Sequence, residues 1–120
     1  MNHYHIWCNL KQSHDDLRFA AAVREYLDGL RGTHGLAGWS LTRRKLGFGP
    51  PELGEFHLVL DFPTLADLDR AFGAAAARDG EVEKLHARVY SLVTDFRAAL
   101  YRDFPDPERA ARTTEARHGA

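Results

Sequence analysis

The chain opens on an alternation of apolar and polar residues. In HYHIWCNL (3–10), Tyr4, Ile6, Cys8 and Leu10 fall on one side and His3, His5, Trp7 and Asn9 on the other. A period of two is that of a β-strand, so the segment predicts a strand with one apolar face and one polar and aromatic face. The period then lengthens to that of a helix at Phe19, Ala20, Val23, Tyr26, Leu27 and Leu30. Ser13, followed three residues later by Asp16, resembles a capping box at its start, and the helix is expected to run to about residue 31. Gly32 and Gly35 supply the stop and the turn. AGWSLTRRKL (37–46) then reads as a second strand, with Trp39 and Leu41 on its apolar side and Ser40, Thr42 and Arg44 opposite.

The stretch GFGPPELG (47–54) is dense in residues that break regular structure and predicts a structured loop between two antiparallel strands. The third strand, EFHLVLDF (55–62), alternates again. Phe56, Leu58, Leu60 and Phe62 share one face, and His57, Val59 and Asp61 the other. Thr64 with Asp67 marks the start of a second helix, in which Leu65, Leu68, Phe72 and Ala75 recur at helical spacing, and Asp79-Gly80 is expected to end it. A shorter helix over about 81–91 would bury Val82, Leu85 and Val89. TDFRAALYRDF (94–104) is assigned to a fourth strand because the topology requires one, although its propensity also allows helix. The result is a single α+β domain over residues 1–104, a ferredoxin-like βαββαβ fold with a four-stranded antiparallel sheet. Residues 105–120 form a polar C-terminal tail, with no apolar residue larger than alanine.

Composition narrows the function classes. Sixteen Lys and Arg stand against seventeen Asp and Glu, a net charge of −1, so no basic field gathers phosphates and a nucleic-acid partner is not expected. No apolar stretch approaches the roughly 20 residues needed to cross a bilayer, and the alanine run 74–77 is far too short. Cys8 stands alone, so no internal disulfide can form, and no secretory signal opens the chain; a cytoplasmic, bacterial-type protein is the expectation. No P-loop, dinucleotide fingerprint or Ser-His-Asp order is present, and no cofactor is expected.

Helices over one sheet face would satisfy the apolar sets of the strands. The second face carries Trp7, Val59 and Tyr101 among polar groups, too apolar to leave in water, and two such sheets packed face to face would bury it in a homodimer. In this order of elements across residues 1–104 the sequence resembles the dimeric α/β-barrel superfamily. That superfamily includes cofactor-independent monooxygenases of the antibiotic-biosynthesis type, haem-degrading monooxygenases and stress-responsive proteins. RRKLGFGPPELGEFH (43–57) and SLVTDFRAALYRDFPD (91–106) resemble, more narrowly, a bacterial family of unknown function within it.

The first and third strands of such a sheet are central neighbours, so His5 and His57 are expected to meet. They are the candidate catalytic pair, as general bases, because imidazole titrates near neutral pH. Two imidazoles are also the start of a metal site, and His5 and His57 would be its ligands if one exists. Trp7, Asn9, Arg44, Asp61 and Tyr101 are candidate ligand-binding residues. The resemblance to cofactor-free monooxygenases implies that Asn, Trp, Tyr and Arg hold an anionic aromatic substrate, and Asn9, Trp7, Tyr101 and Arg44 supply those types. Arg44, if turned inward, needs Asp61 or Glu55 as partner, since an unpaired buried guanidinium is costly. His86 reads as a partly exposed helical residue between Leu85 and Val89. The haem-degrading arrangement is disfavoured because both tryptophans lie on strands. Cys8 reads as a small buried hydrophobe. Two functions remain: a small-molecule-binding protein or cofactor-independent enzyme with its cavity beside the sheet, and a non-catalytic dimeric stress or regulatory module.

Overall fold

A computed structural model describes residues 1–77 and 80–106. Strand β1 (Asn2–Leu10) leads through a 3₁₀ turn (Ser13–Asp15) into helix α1 (Asp16–Thr33). Strands β2 (Gly38–Arg43) and β3 (Phe56–Phe62) form the hairpin, and helices α2 (Leu65–Ala76) and α3 (Glu81–Tyr90) precede strand β4 (Val93–Arg102). The sheet order is β2-β3-β1-β4, and every neighbouring pair is antiparallel. This is a ferredoxin-like α+β fold. The polar tail beyond residue 106, and Asp79 at the expected end of the second helix, lie outside the described residues.

The apolar faces of the strands pack on the helices as their alternation requires. Cys8, Phe56, Leu58, Leu60 and Phe62 meet Phe19, Val23, Leu27 and Leu30 of α1 in one buried cluster. Each such side chain contributes about 1.5–3 kcal/mol when fully withdrawn from water. Trp39 packs at the margin of this cluster and its indole N–H donates to Asp28 of α1 at 2.9 Å, which ties β2 to the helix.

Two helix starts differ in a way that the sequence pattern did not separate. The Thr64 hydroxyl accepts the Asp67 backbone N–H at 3.1 Å and donates to its carboxylate at 2.8 Å, a true cap for α2. Ser13 caps nothing: it begins the 3₁₀ turn, and the residue before α1, Asp15, makes no side-chain cap. The extra turn shifts the helix start by three residues, so the Ser13–Asp16 spacing never bridges it.

Strand β4 forms although its Ala- and Leu-containing sequence also suits a helix. Ladder pairing with β1 from Asn2↔Arg102 to Leu10↔Val93 decides the matter, tertiary pairing overriding local propensity. The ladder slips between Trp7 and Asn9, where Asp95 takes a positive φ of 55°. Asn9 fixes this irregularity: its amide donates to Asp95 at 3.0 Å, while its side-chain oxygen accepts the Glu55 backbone N–H at 2.8 Å.

Candidate functional site

The sheet presents two chemically different faces, and each holds a candidate site. On the face away from the helices, cross-strand register sets Trp7 opposite His57, His5 opposite Val59 and His3 opposite Asp61. The His5 Nδ1 and His57 Nε2 atoms lie 2.9 Å apart, so one imidazole N–H donates to the other ring's lone pair. The Trp7 indole lies parallel to the His57 ring, centroids 4.7 Å apart, and Tyr101 of β4 meets His5 edge-on at 5.1 Å. Burial holds the His57 pKa below the ordinary imidazole value, and the facing His5 lowers it further. His57 is therefore neutral at neutral pH.

At the end of the same face His3 is gripped by two carboxylates, Nδ1 by Asp61 and Nε2 by Asp103, each at 2.6 Å. The hydrogen bond to Asp61, then that to Asp103, raises the His3 pKa above 6.5, and Asp103 is in turn lowered from 3.8, chiefly by His3. A raised imidazole pKa stabilises the fold fully below pH 6.5, and this is lost as pH rises through the folded value. A depressed carboxylate pKa stabilises it above pH 3.8, and this is lost as pH falls through the folded value. Thermal melts of wild type and His3→Gln are therefore expected to differ most near about pH 5.5 and to converge in alkaline buffer.

Of the residues that the sequence nominated, His5, His57, Trp7 and Tyr101 are brought together on this face. Asp61 serves His3 instead of a guanidinium. The Arg44 guanidinium donates to the carbonyls of Pro50 and Leu53, stapling the 44–55 loop, and beside this loop Arg44, Trp7 and His57 line a smaller space of about 270 Å³. The residue that pairs with Glu55, at 3.0 Å, is Arg43, which also reaches Asp16. Asn9 is engaged with Asp95 and Glu55, and neither it nor Tyr101 lines the space that Trp7, His57 and Arg44 share. Among the described residues no group of three or more His, Cys, Asp or Glu side chains is placed to hold a metal ion; His5 and His57 offer two imidazoles alone.

The second site lies on the helix side. Between β1, β3 and β4 below and α1, α2 and α3 above is a cavity of about 410 Å³. Protein interiors are packed with few voids larger than a water molecule, so a space of this size is not a packing flaw; it falls in the range of small-molecule pockets. Its cause is local. Ala75 and Ala76 give this face of α2 no bulk, and the helix cannot fill the space above Tyr4 and Ile6. Most of the lining is hydrocarbon, from residues such as Ile6, Phe19, Leu58, Val89 and Val93. The mouth is bordered by Phe72, Tyr90 and Phe96, all exposed.

Besides the Tyr90 hydroxyl at the mouth, three polar groups stand in this lining: Tyr4, Tyr26 and His86. The Tyr26 and His86 rings meet edge to face at 5.4 Å, and His86 stacks on Tyr90. Burial pushes the Tyr26 phenol up to about 12, with a further contribution from Tyr4, and burial lowers the His86 imidazole. At neutral pH the site thus holds two phenolic O–H donors and a neutral imidazole that can accept a proton or a hydrogen bond. The sequence places Tyr26 on the core stripe and His86 as a partly exposed helical residue; both are half-buried, and both border the cavity. Cys8, its thiol pushed up to about 11 by burial, is an inert part of the wall.

The fold places the chain among ferredoxin-like domains. The chain belongs to the DUF6614 family, a family of unknown function, whose model matches residues 1–116. No curated protein matches it. Among solved structures it is similar to a dimeric ferredoxin-like protein of unknown function from Jannaschia sp., with 14% identity over 85% of this chain and 98% of that one and a TM-score of 0.64. It is also similar to a mutant of a cofactor-independent oxygenase from Streptomyces nogalater, at 9% identity, 88% and 97% coverage and a TM-score of 0.65. A dabb family protein from Mesorhizobium loti matches at 18% identity, 86% and 96% coverage and a TM-score of 0.63. At these identities the likeness is one of fold. No helix among the described residues is long and apolar enough to cross a membrane.

Proposed function

We propose that the protein is a homodimeric small-molecule-binding protein whose ligand occupies the cavity between the sheet and the helices. The observation that carries this reading is the cavity itself: about 410 Å³ of apolar space holding a few polar groups at one side. A structural module with no ligand would gain stability by replacing the alanines of α2 with larger residues that fill the gap. The aromatic sheet face is the proposed dimer surface. Trp7, His5 and Tyr101 form a slab that water leaves partly exposed in a single chain, and the Jannaschia relative of the same fold is described as dimeric. In this reading His5 and His57 hold the interface and are not the catalytic pair.

The Ala75→Trp substitution is expected to fill the cavity without touching the sheet face. Isothermal titration with naphthalen-2-ylmethanol, a compact apolar probe, is expected to show binding to wild type and at least tenfold weaker binding to the variant. Native mass spectrometry of the same preparations is expected to give dimers for both. Equal binding by the two proteins, or a monomeric wild type, would contradict the respective half of the reading.

A further inference from the structure

The chemistry of the cavity wall restricts what it can hold, an inference that rests on the cavity being the ligand site. None of the described residues lining it is Asp, Glu, Lys or Arg. Besides the Tyr90 hydroxyl at the mouth, its polar groups are the Tyr4 and Tyr26 hydroxyls and the His86 imidazole, and among the described residues none of these three makes a side-chain hydrogen bond. Tyr26 of α1 is in edge contact with His86 of α3, and Tyr4 of β1, near enough to Tyr26 to act on its phenol, packs edge-on to Phe72 at 4.9 Å. Among the described residues no fully buried side-chain polar atom lacks a partner, so these three groups keep contact with water in the open cavity, and a ligand that displaces this water must bring a matching hydrogen-bonding group. A charged ligand gains nothing comparable, because an ion taken out of water needs a counter-charge and the described residues of this wall include no Asp, Glu, Lys or Arg.

From this we infer that the ligand is an uncharged, largely hydrocarbon molecule carrying one hydroxyl or carbonyl group, which meets Tyr26, His86 and Tyr4 while its body fills the space under α2. Phenol donors suit a carbonyl oxygen or a hydroxyl, and the neutral imidazole accepts from a hydroxyl. The exposed Phe72, Tyr90 and Phe96 at the mouth give such a molecule an apolar path inward. Residues that could hold an anion lie outside this space. Arg43 is paired with Glu55 and Asp16, and Arg44 with loop carbonyls, both on the hairpin.

Three probes of one shape and different charge test the inference: naphthalen-2-ylmethanol, 2-naphthoate and naphthalen-2-ylmethylammonium, titrated into the wild-type protein in slightly alkaline buffer. The alcohol is expected to bind at least tenfold more tightly than either ion. If either ion binds as tightly as the alcohol or more so, the inference fails while the cavity reading stands. If none of the three binds, the cavity reading fails and takes the inference with it.

Discussion

Phe19→Ala is expected to destabilise the protein by about 3–5 kcal/mol, a large share of the roughly 5–15 kcal/mol that holds a domain of this size together. Phe19 is fully buried on α1, meets Phe56 of β3 edge to face at 5.1 Å, and forms part of the cavity wall. Deleting a buried ring costs most where neighbours cannot close over the gap, and here the neighbouring space is already empty. The loss is expected at the upper end of the range. Denaturant titration, with a lowered midpoint and an unchanged slope, is the check.

Gly54→Ala is expected to cost about 3 kcal/mol for a different reason. A Cβ at position 54 would lie 2.6 Å from the Cys8 backbone nitrogen and closer still to the Cys8 carbonyl. Every atom it meets is backbone of the central strand, so no side-chain rotation relieves the clash. The hairpin base must move instead, with loss of the Glu55 N–H bond to Asn9 and the Arg44 N–H bond to the Glu55 carbonyl. Hydrogen exchange is expected to show the Glu55 and Arg44 amides unprotected in the variant while the α1 amides keep their protection.

The fold was legible because its signals are periodic. Two alternating strands, two helical stripes and the Thr64 cap lie where their spacing puts them, and the opposed faces of β1 follow from its first ten residues. Local pattern alone did not establish β4, whose strand state comes from pairing with β1. The site was legible in part. Pairing of His5 with His57 follows from two central strands and their register, a backbone property. The roles of Arg44 and Asn9 do not, because a loop carbonyl or a strand irregularity leaves no trace in residue type. The cavity was hidden for another reason: a void appears in a sequence only as small residues, and the alanine run of α2 is equally what a stable helix uses. Tyr26 and His86 stand where that void makes them significant, at positions that a filled core would make ordinary.

If the ligand sits on the sheet face under the helices, as proposed, chemical-shift mapping by NMR with naphthalen-2-ylmethanol is expected to concentrate shifts on Ile6, Tyr26, Ala75, His86 and Val89 around the cavity, with His5, Trp7 and His57 unmoved. Shifts concentrated on His5, Trp7 and His57, with the cavity residues silent, would contradict this placement.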